Sequence, residues 1–188
     1  MYLKFGKSFL DLFLSLFGLI ILFPFLILIC VILFFIHASN PIFYQTRVGQ
    51  GGHYFTVYKF KTIKTTNSSS AFLKALRKTK VDELPQLFNV IKGDMSLVGP
   101  RPDIPGYYDK LTGENRLILQ LKPGITGLAS LQFANEEEIL AQQSNPLAYN
   151  DEVLFPQKVE LNLRYYKKVS FVYDLNILLK TILLPFLN

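Results

Sequence analysis

The feature that most constrains this 188-residue chain is an uncharged apolar run near its start. No Asp, Glu, Lys or Arg occurs from Leu12 to Ile36, a stretch of about 25 residues. As a straight α-helix this run would be about 37 Å long at ~1.5 Å per residue, and the hydrocarbon core of a bilayer is ~30 Å thick. The run therefore predicts a membrane-inserted helix. A cleaved signal peptide is a weaker alternative, because its apolar region would be shorter and small residues would follow it.

Pro24, near the middle of the run, leaves two arrangements open. Proline removes a backbone donor and clashes with the preceding turn, so it bends or breaks a helix. Positive charge prefers the cytoplasmic side of a membrane. A single span would place one of the two flanking basic groups outside, whereas a re-entrant hairpin that turns at Pro24 keeps both inside. These flanking residues are Lys4 and Lys7 on one side, and Arg47, Lys59, Lys61 and Lys64 on the other.

The composition favours partners that are lipid or phosphate. Half of the residues are hydrophobic, yet the formal net charge is +6 and the pI is about 9.3. This combination is typical of a protein that meets anionic head groups or a phosphate-bearing ligand. We expect no nucleic-acid partner, because the basic residues are scattered and the apolar run does not suit such a role. The only cysteine is Cys30, which excludes a disulfide within one chain.

The rest of the chain predicts an α+β fold that is mostly helical. Ile42–Arg47 and Tyr54–Lys61 are rich in aromatic and β-branched residues, and the glycines between them predict a small β-hairpin. Residues 65–70 read as a polar connector. Helices are expected over "AFLKALRKT", from about Glu83 to Ile91, and in two stretches between residues 135 and 168. "GDMSLVGPRPDIPG" is expected to be a loop, and "LKPGITGLASLQF" a turn followed by a short strand.

The C-terminal stretch "SFVYDLNILLKTILLPFLN" is apolar but interrupted by polar residues. Asp174, Asn176 and Lys180 do not suit a membrane span, so we expect an amphipathic helix that lies at the membrane interface. The preceding Tyr165, Tyr166, Lys167 and Lys168 are expected to anchor this helix at the membrane surface.

Asp82 and Glu83 lie side by side in "KVDELPQ", and two roles are open for them. An aspartate before a helix is a good N-cap, and a glutamate in the first turn suits the helix dipole. However, Pro85 would then stand at a position whose N–H usually donates to the cap. Alternatively, adjacent carboxylates suit Mg²⁺, and an aspartate can attack phosphorus as a nucleophile.

Basic residues around the pair favour the chemical role. Arg77 precedes it, and Arg101 lies between Pro100 and Pro102 in a loop that these prolines stiffen. Arginine and exposed amides suit phosphate groups or a nucleobase. A basic, membrane-bound chain with these features points to phosphoryl transfer at the interface. A non-catalytic membrane adaptor is the rival hypothesis, but it leaves the polar pair unexplained.

Four segments carry a family resemblance: "YKFKT", "RKTKVDELPQLFNVIKGDMSLVGPRP", "KPGITGLA" and "YYKKVSFVYDLNILLKTI". They strongly resemble the bacterial sugar transferases, specifically the small monotopic phosphoglycosyl transferases that act on polyprenyl phosphate. The resemblance implies that a sugar 1-phosphate passes from a UDP-sugar to a polyprenyl phosphate, with release of UMP. It further implies that Asp82 is the nucleophile, which forms a covalent phosphosugar intermediate, and that Glu83 binds Mg²⁺.

The resemblance also assigns substrate binding, membrane placement and domains. Residues 1–40 would be a membrane-inserted re-entrant helix broken at Pro24, and residues 41–188 a catalytic domain at the cytoplasmic face of the bacterial inner membrane. The early lysine and aspartate of the family match Lys7 and Asp11. A homodimer is a further expectation. The substrate-binding candidates are Arg77, Pro100, Arg101, Pro102, Lys59 and Gln86.

The chain departs from the family pattern at a few positions. Phe23 precedes Pro24 where the family has serine, so no hydroxyl is available there for a freed carbonyl. Ile63 replaces the usual methionine after "KFKT". The tract that begins "NEEEILAQQSNP" resembles members that use N-acetylated amino sugars, so we expect a donor of that kind.

Overall fold

The computed structural model describes residues 2–63 and 70–187, and it confirms a mostly helical α+β fold. Lys64 and most of the expected polar connector lie outside the described residues. Short 3₁₀ or π turns join the main elements. The strands are β1 Ile42–Val48, β2 Tyr54–Phe60, β3 Ser96–Val98 and β4 Gly124–Thr126. The helices are α1 Lys7–His37, α2 Ala71–Lys78, α3 Gln86–Lys92, α4 Leu128–Gln132, α5 Glu136–Ala141, α6 Pro146–Tyr149, α7 Phe155–Lys168 and α8 Phe171–Leu187.

Helix α1 continues through Pro24 without interruption, so the expected break at this proline is wrong for the helix itself. Pro24 is exposed, and the helical turns on either side of it are maintained. A proline costs a helix one hydrogen bond, and tertiary contacts along the helix can outweigh that loss. Within the described residues, α1 is the one helix long and apolar enough to cross a membrane by length and composition.

One face of α1 packs against the rest of the protein along its whole length. Together with the half-buried Leu19 and Leu22, the buried positions recur every three or four residues, which is the helical period. The opposite face exposes large apolar side chains, among them Phe9, Ile20 and Phe35, which are 72–76% exposed. Helix α1 therefore packs on the same apolar core as the elements that follow it. The buried residues of α1 are Lys7, Asp11, Ser15, Leu26, Ile29 and Leu33.

Strands β1 and β2 form the predicted antiparallel hairpin, with Ile42 opposite Phe60. Asn89 of α3 completes the edge of β2, because its side chain accepts from the backbone N–H of Tyr58 at 3.1 Å and donates to the carbonyl of Thr56 at 2.7 Å. Asn89 is fully buried. This pairing fixes α3 against the hairpin, and therefore fixes the short segment that precedes α3.

Strands β3 and β4 pair in parallel, with Ser96 opposite Gly124. The expectation of a loop is therefore wrong for Ser96–Val98. The short strand expected in "LKPGITGLASLQF" is β4, and the end of that segment forms α4 instead of continuing the strand. The backbones at Gly99 and Gly124 approach so closely that a Cβ on Gly124 would overlap Gly99. The pairing of β3 with β4 fixes the start of residues 99–102, which are called the "GPRP" loop below.

Helices α7 and α8 bury a polar cluster that joins both ends of the chain. Lys7 Nζ lies 2.6 Å from Asp174 Oδ2, and the Tyr165 hydroxyl donates to Asp174 Oδ1 at 2.5 Å. Tyr165 is fully buried and Asp174 is 1% exposed, so the expected role of Tyr165 as a membrane anchor is wrong. Asp11 accepts from the backbone N–H of Leu97 in β3 at 3.0 Å. The lysine and aspartate of α1 therefore fix this helix to the core.

Candidate active site

Asp82 and Glu83 lie in a 3₁₀ turn, Val81–Glu83, between α2 and α3. Lys80 precedes this turn in a left-handed conformation with φ 57°. Neither the turn nor α3 has a side-chain cap, so the capping role considered for Asp82 is absent. Because α3 is fixed to the hairpin and α2 packs against α1, the turn presents both carboxylates from a rigid frame.

Glu83 accepts hydrogen bonds from two cations. Arg101 Nη2 lies 2.5 Å from Glu83 Oε1 and Nη1 lies 3.1 Å from Oε2, while Lys59 Nζ lies 3.1 Å from Oε1. The Glu83 side chain is 7% exposed. Burial alone would raise the pKa of Glu83, but the charges of Arg101 and Lys59 outweigh burial and hold this pKa well below its usual range. Glu83 is therefore ionised and joins β2 to the "GPRP" loop.

Asp82 has the opposite environment. Its Oδ1 is buried and has no hydrogen-bond partner among the described residues. Burial, together with the neighbouring charge of Glu83, raises the pKa of Asp82 to about 6. Buried polar atoms are nearly always paired, and exceptions often mark reactive groups. Asp82 is thus a carboxylate that is mainly ionised at neutral pH and is not engaged at Oδ1.

Arg77 lies in the last turn of α2 and is paired with Glu137 of α5. It does not pair with Asp82 or Glu83, which are called the dyad below. Its Nη2 lies 2.5 Å from Glu137 Oε2. The hydrogen bond that Arg77 donates to Glu137 raises the pKa of Arg77 above its ordinary value. Sequence reasoning missed Glu137, although the "EEE" triplet in a basic protein was a visible signal.

The other substrate-binding candidates lie close to this frame and are mostly held within the fold. Gln86 is 2% exposed within α3. Pro100 is buried, and its carbonyl accepts from the N–H of Gly124 at 2.8 Å. The carbonyl of Pro102 accepts from Arg47 Nη1 at 3.4 Å. These residues shape the loop that carries Arg101. The structure thus joins Lys59, Glu83 and Arg101 directly and leaves Gln86 in the core.

A large surface cavity lies away from the dyad. It has a volume of about 580 Å³ and lies between the hairpin turn and the 3₁₀ segment Gly113–Gln120. Neither Asp82 nor Glu83 lines it. Among the described residues, no group of three or more His, Cys, Asp or Glu side chains could hold a metal ion by themselves.

An apolar helix packed on a small α+β body, with buried Glu83 and half-buried Asp82 beside arginine and lysine, is typical of a membrane-associated protein with a site for anionic groups. A comparison with known families makes this assignment specific. The chain belongs to the bacterial sugar transferase family, whose sequence model matches residues 2–187. The match covers α1, the dyad and α8, so the family assignment applies to the whole described fold.

Characterised and uncharacterised relatives share this region. An uncharacterised sugar transferase, EpsL of Bacillus subtilis, is 35% identical over 156 residues, which are 77% of this chain and 69% of that protein. The UDP-glucose:undecaprenyl-phosphate glucose-1-phosphate transferase of Escherichia coli is 31% identical over 180 residues, 85% of this chain and 36% of that protein.

A third relative differs in its named sugar. The UDP-N-acetylgalactosamine-undecaprenyl-phosphate N-acetylgalactosaminephosphotransferase of Aeromonas hydrophila is 32% identical over 178 residues, 86% of this chain and 39% of that protein. The chain therefore spans well under half the length of these two transferases. Their shared segment contains the region of the dyad, while their named donors differ.

Proposed function

We propose that this protein transfers a sugar 1-phosphate from a UDP-sugar to a polyprenyl phosphate and releases UMP. The observation that carries the proposal is the contrast within the dyad. Glu83 is bound by Arg101 and Lys59, whereas Asp82 keeps a buried oxygen that no described residue contacts by a hydrogen bond. The names of the relatives support the same general reaction, since they pair UDP-sugars with undecaprenyl phosphate.

In the first step, a carboxylate oxygen of Asp82 attacks the phosphorus that bears the sugar. The bond from this phosphorus to the bridging oxygen breaks, and UMP leaves with the electron pair. A phosphosugar remains on Asp82 as an acyl phosphate. Dividing the reaction in this way avoids a direct attack of the acceptor's phosphate on the donor's diphosphate, which would bring one anion against another.

In the second step, an oxygen of the polyprenyl phosphate attacks the phosphorus of the intermediate. The bond between this phosphorus and Asp82 breaks, which restores the carboxylate and yields a polyprenyl diphosphate sugar. Arg101 and Lys59 lie beside the dyad and would stabilise charge on the phosphate oxygens in both steps. Arg77 would bind the donor diphosphate from the end of α2.

The dyad fits Mg²⁺ in part. Asp82 Oδ1 is a hard oxygen with no hydrogen-bond partner in the part of the chain that the structure describes, and Mg²⁺ usually takes one or two carboxylates together with substrate phosphates. Glu83, the proposed ligand, already accepts one contact at Oε2 and two at Oε1, which leaves a lone pair at Oε2. When bound there, Mg²⁺ would offset negative charge on the diphosphate.

The contacts of α1 support a monotopic placement, and the cytoplasmic face is proposed from the resemblance. Near its start, Lys7 contacts Asp174, and at its end the His37 ring lies 2.6 Å from the carbonyl of Lys61. Both ends of α1 therefore contact the same body, and the apolar outer face is left for lipid. We propose that this face enters one leaflet without crossing it, together with the exposed apolar side of α8 (Val172, Leu179, Ile182 and Leu183).

The donor is proposed to be an N-acetylated amino sugar, on the resemblance of the "NEEEIL" tract. Purified protein in nanodiscs would receive Mg²⁺, polyprenyl phosphate and a panel that includes UDP-glucose and UDP-N-acetylgalactosamine, with Asp82→Asn as control. We expect UMP release by the wild type alone, and most rapidly with an N-acetylated donor. Equal release by Asp82→Asn would contradict the proposal.

A further inference from the structure

The contact between Arg77 and Glu137 places an acidic side chain where a phosphate is expected. Arg77 Nη2 and Glu137 Oε2 are 2.5 Å apart, and the two side chains are 37% and 74% exposed. A carboxylate and a phosphate oxygen make the same kind of charge-assisted hydrogen bond to a guanidinium group. In the free protein, Glu137 therefore accepts from Arg77 the hydrogen bond that a phosphate oxygen of the donor would accept.

The charge around Glu137 comes from the basic side of the candidate active site. The pKa of Glu137 is lowered first by its hydrogen bond from Arg77, and then by the charges of Arg77, Lys80 and Arg101. Lys80 and Arg101 also act on the carboxyl group of Asp82. Glu137 thus lies in the field that would attract the diphosphate of a donor.

Helix α5, which carries Glu137, is suited to move. It has six residues, none of them buried, and no side chain caps its start. Its other ion pair joins Glu136 Oε1 to Lys158 Nζ of α7 at 2.6 Å. Segments with few buried contacts open at low free-energy cost. Glu137 can leave Arg77 while Glu136 continues to hold the start of α5 on α7.

From these contacts we propose that Glu137 is an internal competitor of the donor: it occupies Arg77 in the free protein, and the diphosphate of the UDP-sugar displaces it. This inference rests on the proposed function, because it requires a diphosphate donor at Arg77. Glu137 would then set donor affinity, since apparent affinity falls with the fraction of protein in which the site is blocked.

An alternative role for Glu137 is to assist donor binding. Glu137 could hold Arg77 in the rotamer that binds phosphate, in which case its removal would weaken donor binding. The two roles predict changes of opposite sign. Glu138 offers a matched control, because it adjoins Glu137 in the same helical turn, is exposed and forms no ion pair with any described residue.

The experiment measures binding of UDP to the full chain in nanodiscs by titration calorimetry at fixed Mg²⁺. Exposed ion pairs are worth ~0.2–1 kcal/mol, so Glu137→Gln is expected to bind UDP about two- to fivefold more tightly than the wild type. Glu138→Gln should match the wild type, which would exclude a general effect of removing one negative charge. Arg77→Ala and the double variant Arg77→Ala/Glu137→Gln should bind UDP equally weakly.

The outcomes separate this inference from the proposed function. If the wild type and Glu137→Gln bind UDP equally, or if Glu137→Gln binds it more weakly, the inference is wrong while the donor assignment stands. If no folded variant binds UDP, both are overturned. A gain in affinity that Glu138→Gln reproduces would also overturn the inference, because the contact with Arg77 would then be irrelevant.

Discussion

Arg101 binds Glu83 through two nitrogens, with Nη2 2.5 Å from Oε1 and Nη1 3.1 Å from Oε2. This two-point contact crosses from the "GPRP" loop to the dyad turn, and Lys59 of β2 completes it. The geometry fixes the orientation of the guanidinium group as well as its charge. Glu83 thereby organises the cations beside Asp82.

The first prediction concerns this contact. Arg101→Lys keeps the charge but loses the two-point geometry, and we expect kcat/KM for UMP release to fall about tenfold. Arg101→Ala should lower kcat/KM about 10²-fold or more, in line with the loss of one charge-stabilising group. Lys92→Ala is the control, because Lys92 pairs with Asp94 on the surface and is 53% exposed. An Arg101→Ala enzyme within twofold of the wild type would contradict the role.

A second prediction follows from the pKa of Asp82, which burial and Glu83 raise to about 6. The attacking form is the ionised one, so the rate of the first step should be constant above about pH 7 and fall as the pH drops through 6. The burst of UMP release without acceptor measures this step, and it avoids the titration of the polyprenyl phosphate. A rate unchanged between about pH 5 and 8 would contradict the assignment.

The same shift has a consequence for stability. Because the pKa of Asp82 in the folded protein lies above its ordinary value of 3.8, folding favours the protonated form. The stabilisation is present below the ordinary pKa and is lost as the pH rises through 6. Asp82→Asn should therefore be more stable than the wild type at pH 7.5, by about 1–3 kcal/mol, with a smaller difference near pH 4.

Thermal unfolding of both proteins in the same detergent checks this third prediction at each pH. Glu138→Gln serves as the control, since it also removes one negative charge but from an exposed site. If the Asp82→Asn variant is less stable than the wild type at pH 7.5, the ionised Asp82 carboxylate does not destabilise the folded protein, and the prediction is wrong.

The fourth prediction tests how α1 is held. Lys7 and Asp174 form a buried pair, with side chains that are 7% and 1% exposed. Lys7→Ala leaves Asp174 buried without its cation, which typically costs ~3–5 kcal/mol. The exposed pair of Glu160 and Arg164 is the matched comparison, and Glu160→Ala should change stability by less than about 0.5 kcal/mol. Equal thermal stability of the two variants would contradict this role for Lys7.

The sequence predicted local features and missed long-range pairings. The hairpin followed from aromatic and β-branched stretches around glycines, and the end of α3 followed from Gly93, which adopts φ 86°. The pairing of Lys7 with Asp174 joins residues 167 positions apart, which no local pattern encodes. For the same reason Tyr165 was expected at the membrane surface, although its hydroxyl is bonded in the core.

The candidate site shows the same division. Asp82 and Glu83 were predicted as site residues from "DELPQ" and its basic neighbours. Lys59 and Arg101 were also candidates, but their contacts with Glu83 were not predicted, because the three residues come from separate elements. β3 and β4 are three residues each, too short for a visible alternation of apolar and polar residues. Pro24 was expected to break α1, but contacts along one face of the helix maintain it.

The measurement that tests the account most directly is the intact mass of the protein after incubation with a UDP-sugar and Mg²⁺ but no acceptor. We predict an added mass equal to one phosphosugar, located on Asp82 by peptide mapping and lost when polyprenyl phosphate is supplied. Asp82→Asn should show no added mass. Turnover of the wild type without any adduct, or an adduct that persists in Asp82→Asn, would contradict Asp82 as the nucleophile.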